Sequence, residues 1–433
     1  MAAVEGFNSG LGMAGSWYAA TATPSPRDPV LAAELSCDLV VVGAGCTGLA
    51  AALFAARRGR SVIVLEGGEV GWGASGRNGG QIIPGLRKGA VELVQALGAE
   101  RARALFALAV EARDLVRDLA TDLQIDCDLT LKGHLLGALK PADLRDFEAE
   151  AECLATVMDY PHVRLLDRQG AQAAVATPEF LGALVDDLGG HLHPLNYTLG
   201  LARACRDAGV RIFAHSPAIA LETAGAGGVT VRTSGGRVRA GHAILAGDAL
   251  LTGLSRRVNS RIMPVANYIV ATEPLADPQA LIAGDLAVTD SRFVVDYFRL
   301  TRDGRLLFGG GERYTPDPPP DIGRFVRPYV ERAFPQLAGV CFDHAWGGLV
   351  SVTMTRLPHI GRDGPVLFAH GYSGQGAVLS SLAGRLLADA LDGDAAGLER
   401  FAAVEPPPFP GGDLLRWPLY VLGMAWYALR DRL

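Results

Sequence analysis

Three glycines and one carboxylate carry the clearest chemistry in the sequence. Gly43, Gly45 and Gly48 stand as GAGCTG directly behind the apolar run DLVVV at 38–42. In a strand-turn-helix unit the first glycine permits the tight turn, the second lets the backbone approach a pyrophosphate, and the third lets the helix lie close on the sheet. The helix that follows, from about Gly45 to Arg58 with Cys46 and Thr47 in its first turn, offers unpaired N–H groups and a positive dipole end to phosphate oxygens. Glu66 closes the next apolar run, SVIVLE. A carboxylate there accepts hydrogen bonds from a ribose diol and repels a 2′-phosphate. A chance glycine turn is the bland alternative. Strand, helix, second strand and terminal Glu all fall in register within the roughly 30 residues of one βαβ unit, which argues against chance.

Two further glycine clusters separate a flavin dinucleotide from a nicotinamide one. Residues 71–80 read GWGASGRNGG, and Ser75, Gly76, Arg77, Asn78 and Gly79 form a donor-rich loop beside the ribose-binding strand. A plain dehydrogenase proceeds from that strand into another helix. Near the other end, VLFAHGYSGQGAVLSSLAG gives a strand, then Gly371, Tyr372, Gly374, Gln375 and Gly376, then an alanine- and leucine-rich helix. This again aims a helix N-terminus at something anionic, and reduced flavin is anionic near N1 and its C2 carbonyl. Mobile loops and tight turns are the bland readings of these two segments.

The elements that must position these groups are those of a large α/β protein. With 433 residues the chain has room for two or three domains. Its net charge of -6 gives no pull toward nucleic acid or an anionic membrane. The six cysteines lie far apart without CxxC or zinc-ligand spacing, as expected of free thiols in the cytoplasm. His191 and His193 are two apart with no third ligand in sight, so no metal is expected. The first twenty residues lack a basic start followed by an apolar core, and no secretory signal is read there. The apolar run 417–429 is shorter than the ~20 residues of a helical membrane span, so it reads as a core or interface helix and membrane association is disfavoured.

Residues 1–35 read as an irregular arm over the surface. Helices are predicted near 99–123 and 142–157, and short strands near 210–214, 229–233, 242–246, 265–272, 292–300 and 305–309.

Taken together, DLVVVGAGCTGLAAAL, VGWGASGRNGGQIIPGLRKG, PVANYIVATEPL, RLLFGGGERY, WGGLVSVTMTRLPHIGR and GYSGQGAVLSSLAG resemble the D-amino acid oxidase superfamily of FAD-dependent oxidoreductases. Within it the chain is most similar to the gamma-glutamylputrescine oxidase group. The resemblance implies a Rossmann-like FAD-binding domain of discontinuous segments, 36–98, 160–255 and 345–405. An interleaved α+β substrate domain, 99–159 and 256–344, would cover the flavin with an antiparallel sheet, leaving residues 406–433 as an apolar tail. It also implies that Ala218 lies where backbone groups meet adenine and that Gly247, in LAGDA, turns the chain past the cofactor. Relatives that clamp an α-carboxylate place a lysine just after Gly376; here Ala377 and Val378 follow. Relatives with covalent flavin carry a cysteine on the preceding strand; GGLVSVTMTRLP has none, so FAD is expected to be non-covalent.

The implied activity is oxidation of an amine C–N bond to an imine and then an aldehyde. Hydride passes to flavin N5, and oxygen reoxidises the flavin with formation of peroxide. The expected substrate is a gamma-glutamylated or otherwise N-substituted amine. Tyr268, Tyr297 and Arg299 are the catalytic candidates on the substrate face, against the bland reading of tyrosines packed in a sheet. Two rivals stand beside this reading. One is a dehydrogenase passing electrons to a quinone or carrier, and the other is a flavin-binding partner protein without turnover.

Overall fold

The computed structural model describes residues 13–223, 228–251, 253–312, 318–412, 418–419 and 421–422. The first twelve residues of the arm and more than half of the predicted apolar tail lie outside that set.

The β-branched run after Asp38 forms the end of the strand Glu34–Val42, which starts earlier than the sequence suggests. It pairs in parallel with Val62–Leu65 on one side and Arg237–Leu245 on the other. Val366–His370 and Arg211–Phe213 extend the same parallel sheet, and His359–Asp363 adds an antiparallel edge. Both faces are covered, which is why these strands are apolar without alternation. Leu39, Val41, Val62 and Val64 pack into a cluster with the helices Cys46–Arg57 and Gly376–Leu391. Val40, Val42, Ile63 and Leu65 pack into another on the opposite face.

A second sheet runs in the order Phe342–Val352, Met263–Thr272, Leu306–Glu312, Tyr297–Leu300, Ala287–Asp290, His134–Ala138, Gly182–Asp186, Val163–Leu166. It corrects the sequence reading in three ways. The sheet is mixed, because Ala287–Asp290 and His134–Ala138 run parallel. Val163–Leu166 and Gly182–Asp186, inside the 160–255 stretch assigned to the FAD domain, belong here, and a boundary at 345 cuts the edge strand Phe342–Val352. The helix Ala99–Asp122, assigned to the substrate domain, shares the dinucleotide-side core through Leu105, Ala109, Ala112 and Val116. Strands of four or five residues such as VRLL and GALVD carry too little β-branched signal to be told from loop by sequence.

The arm also differs from expectation. Ser16 caps a short helix, Trp17–Ala20, by accepting the Tyr18 N–H at 3.1 Å. Trp17 and Tyr18 are buried against His193, and Tyr18 packs edge-on against Trp346. The arm is therefore a wedge driven between the first helical layer and the second sheet.

Candidate active site

A cavity of about 690 Å³ runs from the end of the parallel sheet to the inner face of the second sheet. One end is walled by Gly43, Gly45, Cys46, Thr47, Glu66, Pro217 and Ala218. The middle is walled by Ser75, Arg77, Asn78, Gly79 and Gly247, and by Tyr372, Gly374, Gln375 and Gly376 of the second glycine cluster. Strand alternation supplies the far wall. Val265, Asn267 and Ile269 face the cavity, while their neighbours Ala266, Tyr268 and Val270 enter the apolar core behind.

The glycine turn is held by close approach. Gly43 has φ +108°, and a Cβ there would lie 2.6 Å from the Ala246 carbonyl oxygen. A Cβ on Gly48 would lie 1.9 Å from the Gly43 carbonyl oxygen, so only glycine lets the helix seat on the strand. Gly48 therefore stands behind the wall rather than on it, as do Gly76 and Gly371. The Glu66 carboxylate accepts the Ala44 N–H at 2.6 Å and the Gly68 N–H at 2.9 Å, tying this turn to the second strand. Burial raises its pKa, and the two backbone donors oppose that rise.

The loop at 71–80 is fastened to the turn. Ser75 Oγ accepts the Cys46 N–H at 3.0 Å, so one helical donor expected for phosphate is taken by the protein. Cys46 Sγ lies 3.2 Å from Thr198 Oγ1, and burial pushes its thiol pKa up, as suits packing rather than redox chemistry. Asn78 is a turn former, donating to the Ala74 carbonyl and accepting the Gly80 N–H. Arg77 donates to the carbonyls of Trp72 and Gly347, and burial brings its pKa down to about 10. Thr47 and Tyr372 share a hydroxyl contact of 2.7 Å that links the two glycine clusters. The Gly371 N–H donates to Asp248 at 2.9 Å.

Of the three catalytic candidates, one reaches the cavity. The Tyr297 ring fits into space that a Cβ on Gly79 or Gly309 would fill, and its hydroxyl donates to Asn267 Oδ1 at 2.5 Å. Tyr268 is a correction: it is fully buried in the core of the second sheet, edge-on to Phe325, because the pleat turns it away. Arg299 is a second correction. Its guanidinium donates to the carbonyls of Gly79, Leu192 and Leu300 and to the Tyr18 hydroxyl, and it is not on the cavity wall. Arg299→Met is thus expected to cost on the order of 3 kcal/mol of stability by stranding buried acceptors, with lysine a poor substitute for the fork. The urea midpoint measures this. A full-strength midpoint combined with a collapse of kcat would return Arg299 to catalysis.

Sequence reasoning missed Asn267 and Arg356, both on the wall. The signal for Asn267 was a lone amide in the apolar strand PVANYIV, one place out of phase with the tyrosine.

Residues 38–390 match the FAD dependent oxidoreductase family of the D-amino acid oxidase (DAO) type. The chain belongs to that family. This FAD-dependent oxidoreductase is 38% identical to the gamma-glutamylputrescine oxidoreductase of Escherichia coli K12, over 96% of this chain and 98% of that one. In fold it is similar to the glycine oxidase of Geobacillus kaustophilus, with a TM-score of 0.72 at 22% identity over 83% of this chain and 95% of that one. It is also similar to the L-proline dehydrogenase of P. horikoshii, with a TM-score of 0.71 at 19% identity over 86% and 100%.

FAD is the cofactor of this oxidoreductase, and the donor set fits it. Helices Cys46–Arg57 and Gly376–Leu391 both begin on the cavity behind N-cap residues, Gly45 and Gln375, that make no side-chain cap bond; beyond the Cys46 N–H that Ser75 takes, their first backbone donors would serve the pyrophosphate and the flavin pyrimidine edge.

Proposed function

We propose that this enzyme oxidises the primary amine of an N-acylated diamine of the gamma-glutamylputrescine type to an aldehyde, with oxygen as electron acceptor. The end-to-end similarity to gamma-glutamylputrescine oxidoreductase carries this reading, and the charge of the wall agrees with it. Among the described residues the cavity is lined by two carboxylates, Glu66 and Asp248. Glu66 accepts two backbone N–H groups at the dinucleotide end and Asp248 accepts one, which leaves little free negative charge for a free diamine's second ammonium, whereas acylation makes that nitrogen neutral.

Bound FAD supplies the hydride acceptor, at N5 of its flavin. The chain supplies orientation and dryness. Tyr297 stays protonated, since burial raises its pKa, and its proton is committed to Asn267. Its oxygen can then accept an N–H of the substrate amine while the nitrogen lone pair stays free. Desolvation in this largely apolar cavity favours the uncharged amine, the form that can give up hydride. The imine takes up water to give the aldehyde and ammonia, and oxygen carries off two electrons and two protons as peroxide.

The test is anaerobic mixing with gamma-glutamylputrescine: flavin absorbance should bleach, then return in air with peroxide. An unchanged spectrum with that amine beside bleaching by another would sink the reading, and bleaching without return in air would replace oxygen by a carrier.

We also take the FAD to be non-covalent. Cys46 is the one cysteine or histidine on the wall among the described residues, and it sits at the pyrophosphate turn. Acid precipitation should leave yellow FAD in the supernatant, and a yellow pellet would refute this. The cytoplasm as compartment belongs to the same reading, with all six cysteines free. No described helix is long and apolar enough to cross a membrane.

A further inference from the structure

The wall of the cavity carries three cations, Arg77, Arg87 and Arg356. Arg77 is spent on carbonyls of its own scaffold. Arg356 differs. It is half-buried, next to exposed Met354, in the turn that follows the edge strand Phe342–Val352. Its backbone holds φ +59°, a strained value for a long side chain, fixed by the Arg356 N–H donating to the Thr353 carbonyl. The guanidinium lies 4.1 Å from the centre of the Phe293 ring, and Phe293 is itself on the wall. Among the described residues no carboxylate forms an ion pair with Arg356, although the chain pairs most of its partly buried arginines.

A cation stacked on a ring is held in place while its N–H edge stays available for a planar anion. We propose that Arg356, steadied by Phe293, binds the carboxylate at the end of the substrate remote from the oxidised amine. This inference rests on the reading of the substrate as an acylated diamine, and it adds that the acyl group must be acidic. A gamma-glutamyl group brings such a carboxylate beside its α-ammonium, an acetyl group brings neither, and a plain diamine brings a second cation with no carboxylate to offset it. Specificity would then sit on a turn of the second sheet, apart from the Tyr297 and Asn267 pair that faces the reacting nitrogen.

The experiment compares gamma-glutamylputrescine with N-acetylputrescine on the wild-type holoenzyme, Arg356→Met and Arg356→Lys. Wild type should prefer the glutamyl substrate. In Arg356→Met the ratio of the two kcat/KM values should fall at least tenfold, chiefly through KM of the glutamyl substrate, and Arg356→Lys should recover part of it. A binding arm without turnover uses gamma-glutamylbutylamide and its methyl ester, read by the change in flavin absorbance. Wild type should bind the acid more tightly than the ester, and Arg356→Met should bind both alike.

An unchanged ratio in Arg356→Met, or equal binding of acid and ester by wild type, overturns the proposal. If wild type oxidises neither amine, the functional reading above falls by itself. The binding arm still decides the role of Arg356.

Discussion

Glu66→Arg is expected to lower FAD affinity roughly a hundredfold or more. The wild-type carboxylate holds the N–H groups of Ala44 and Gly68 and faces the cavity beside Pro217 and Ala218. A guanidinium there accepts nothing, strands both donors and adds a buried positive charge. Each charge-assisted hydrogen bond is worth about 1.5–3 kcal/mol, so losing the two that a ribose diol would donate to this carboxylate spans two or more decades in binding. Titration of the apoprotein with FAD measures the loss. Glu66→Gln, which keeps an acceptor oxygen, should fall between the two. Affinity unchanged in Glu66→Arg would move the ribose partner to another residue and leave the Gly43 turn standing without its tie.

The second large effect is in substrate choice. Gamma-glutamylputrescine should exceed putrescine, sarcosine and D-alanine by about a hundredfold or more in kcat/KM in a peroxide-coupled comparison at equal concentrations. Putrescine loses because its second ammonium meets a wall on which Glu66 stands at the dinucleotide end and Asp248 already accepts the Gly371 N–H. Sarcosine and D-alanine lose because Ala377 lies on the wall where a lysine would be needed, and because Arg299 is clamped by carbonyls behind it. An unpaired desolvated carboxylate costs several kcal/mol, which is orders of magnitude in selectivity. If sarcosine or D-alanine ranks first, a cation must reach the reacting centre, and Arg356 becomes the residue to examine there.

The glycine turn and the carboxylate at one end of this cavity were legible in the sequence because their constraints are local. A turn that needs glycine at Gly43 and Gly48, and a carboxylate one strand later, are written within a single βαβ unit. The substrate end was not legible, because it depends on the phase of a strand and on partners far along the chain. One residue of pleat separates Asn267 on the wall from Tyr268 in the core. Arg299 looks like a substrate clamp until its acceptors, Gly79 and Leu192, are brought to it by tertiary packing. Short strands without β-branched runs, His134–Ala138 and Gly182–Asp186 among them, hid the true extent of the second sheet for a related reason. Their pairing with each other and with Ala287–Asp290, rather than local propensity, makes them strands.

The wedge formed by Trp17 and Tyr18 sets an order of events during synthesis. Tyr18 leaves the ribosome well before its partners: Arg299, which donates to its hydroxyl, follows 281 residues later and Trp346 later still. At about 5–20 residues per second, the two aromatics wait roughly a quarter of a minute to a minute before Arg299 and Trp346 exist to complete their burial. The Glu34–Val42 strand likewise waits for Arg237–Leu245. The nascent chain therefore displays the apolar hook of Trp17 and Tyr18 until the second sheet has been made, a natural handle for a chaperone, and the arm can lock only once that sheet is in place.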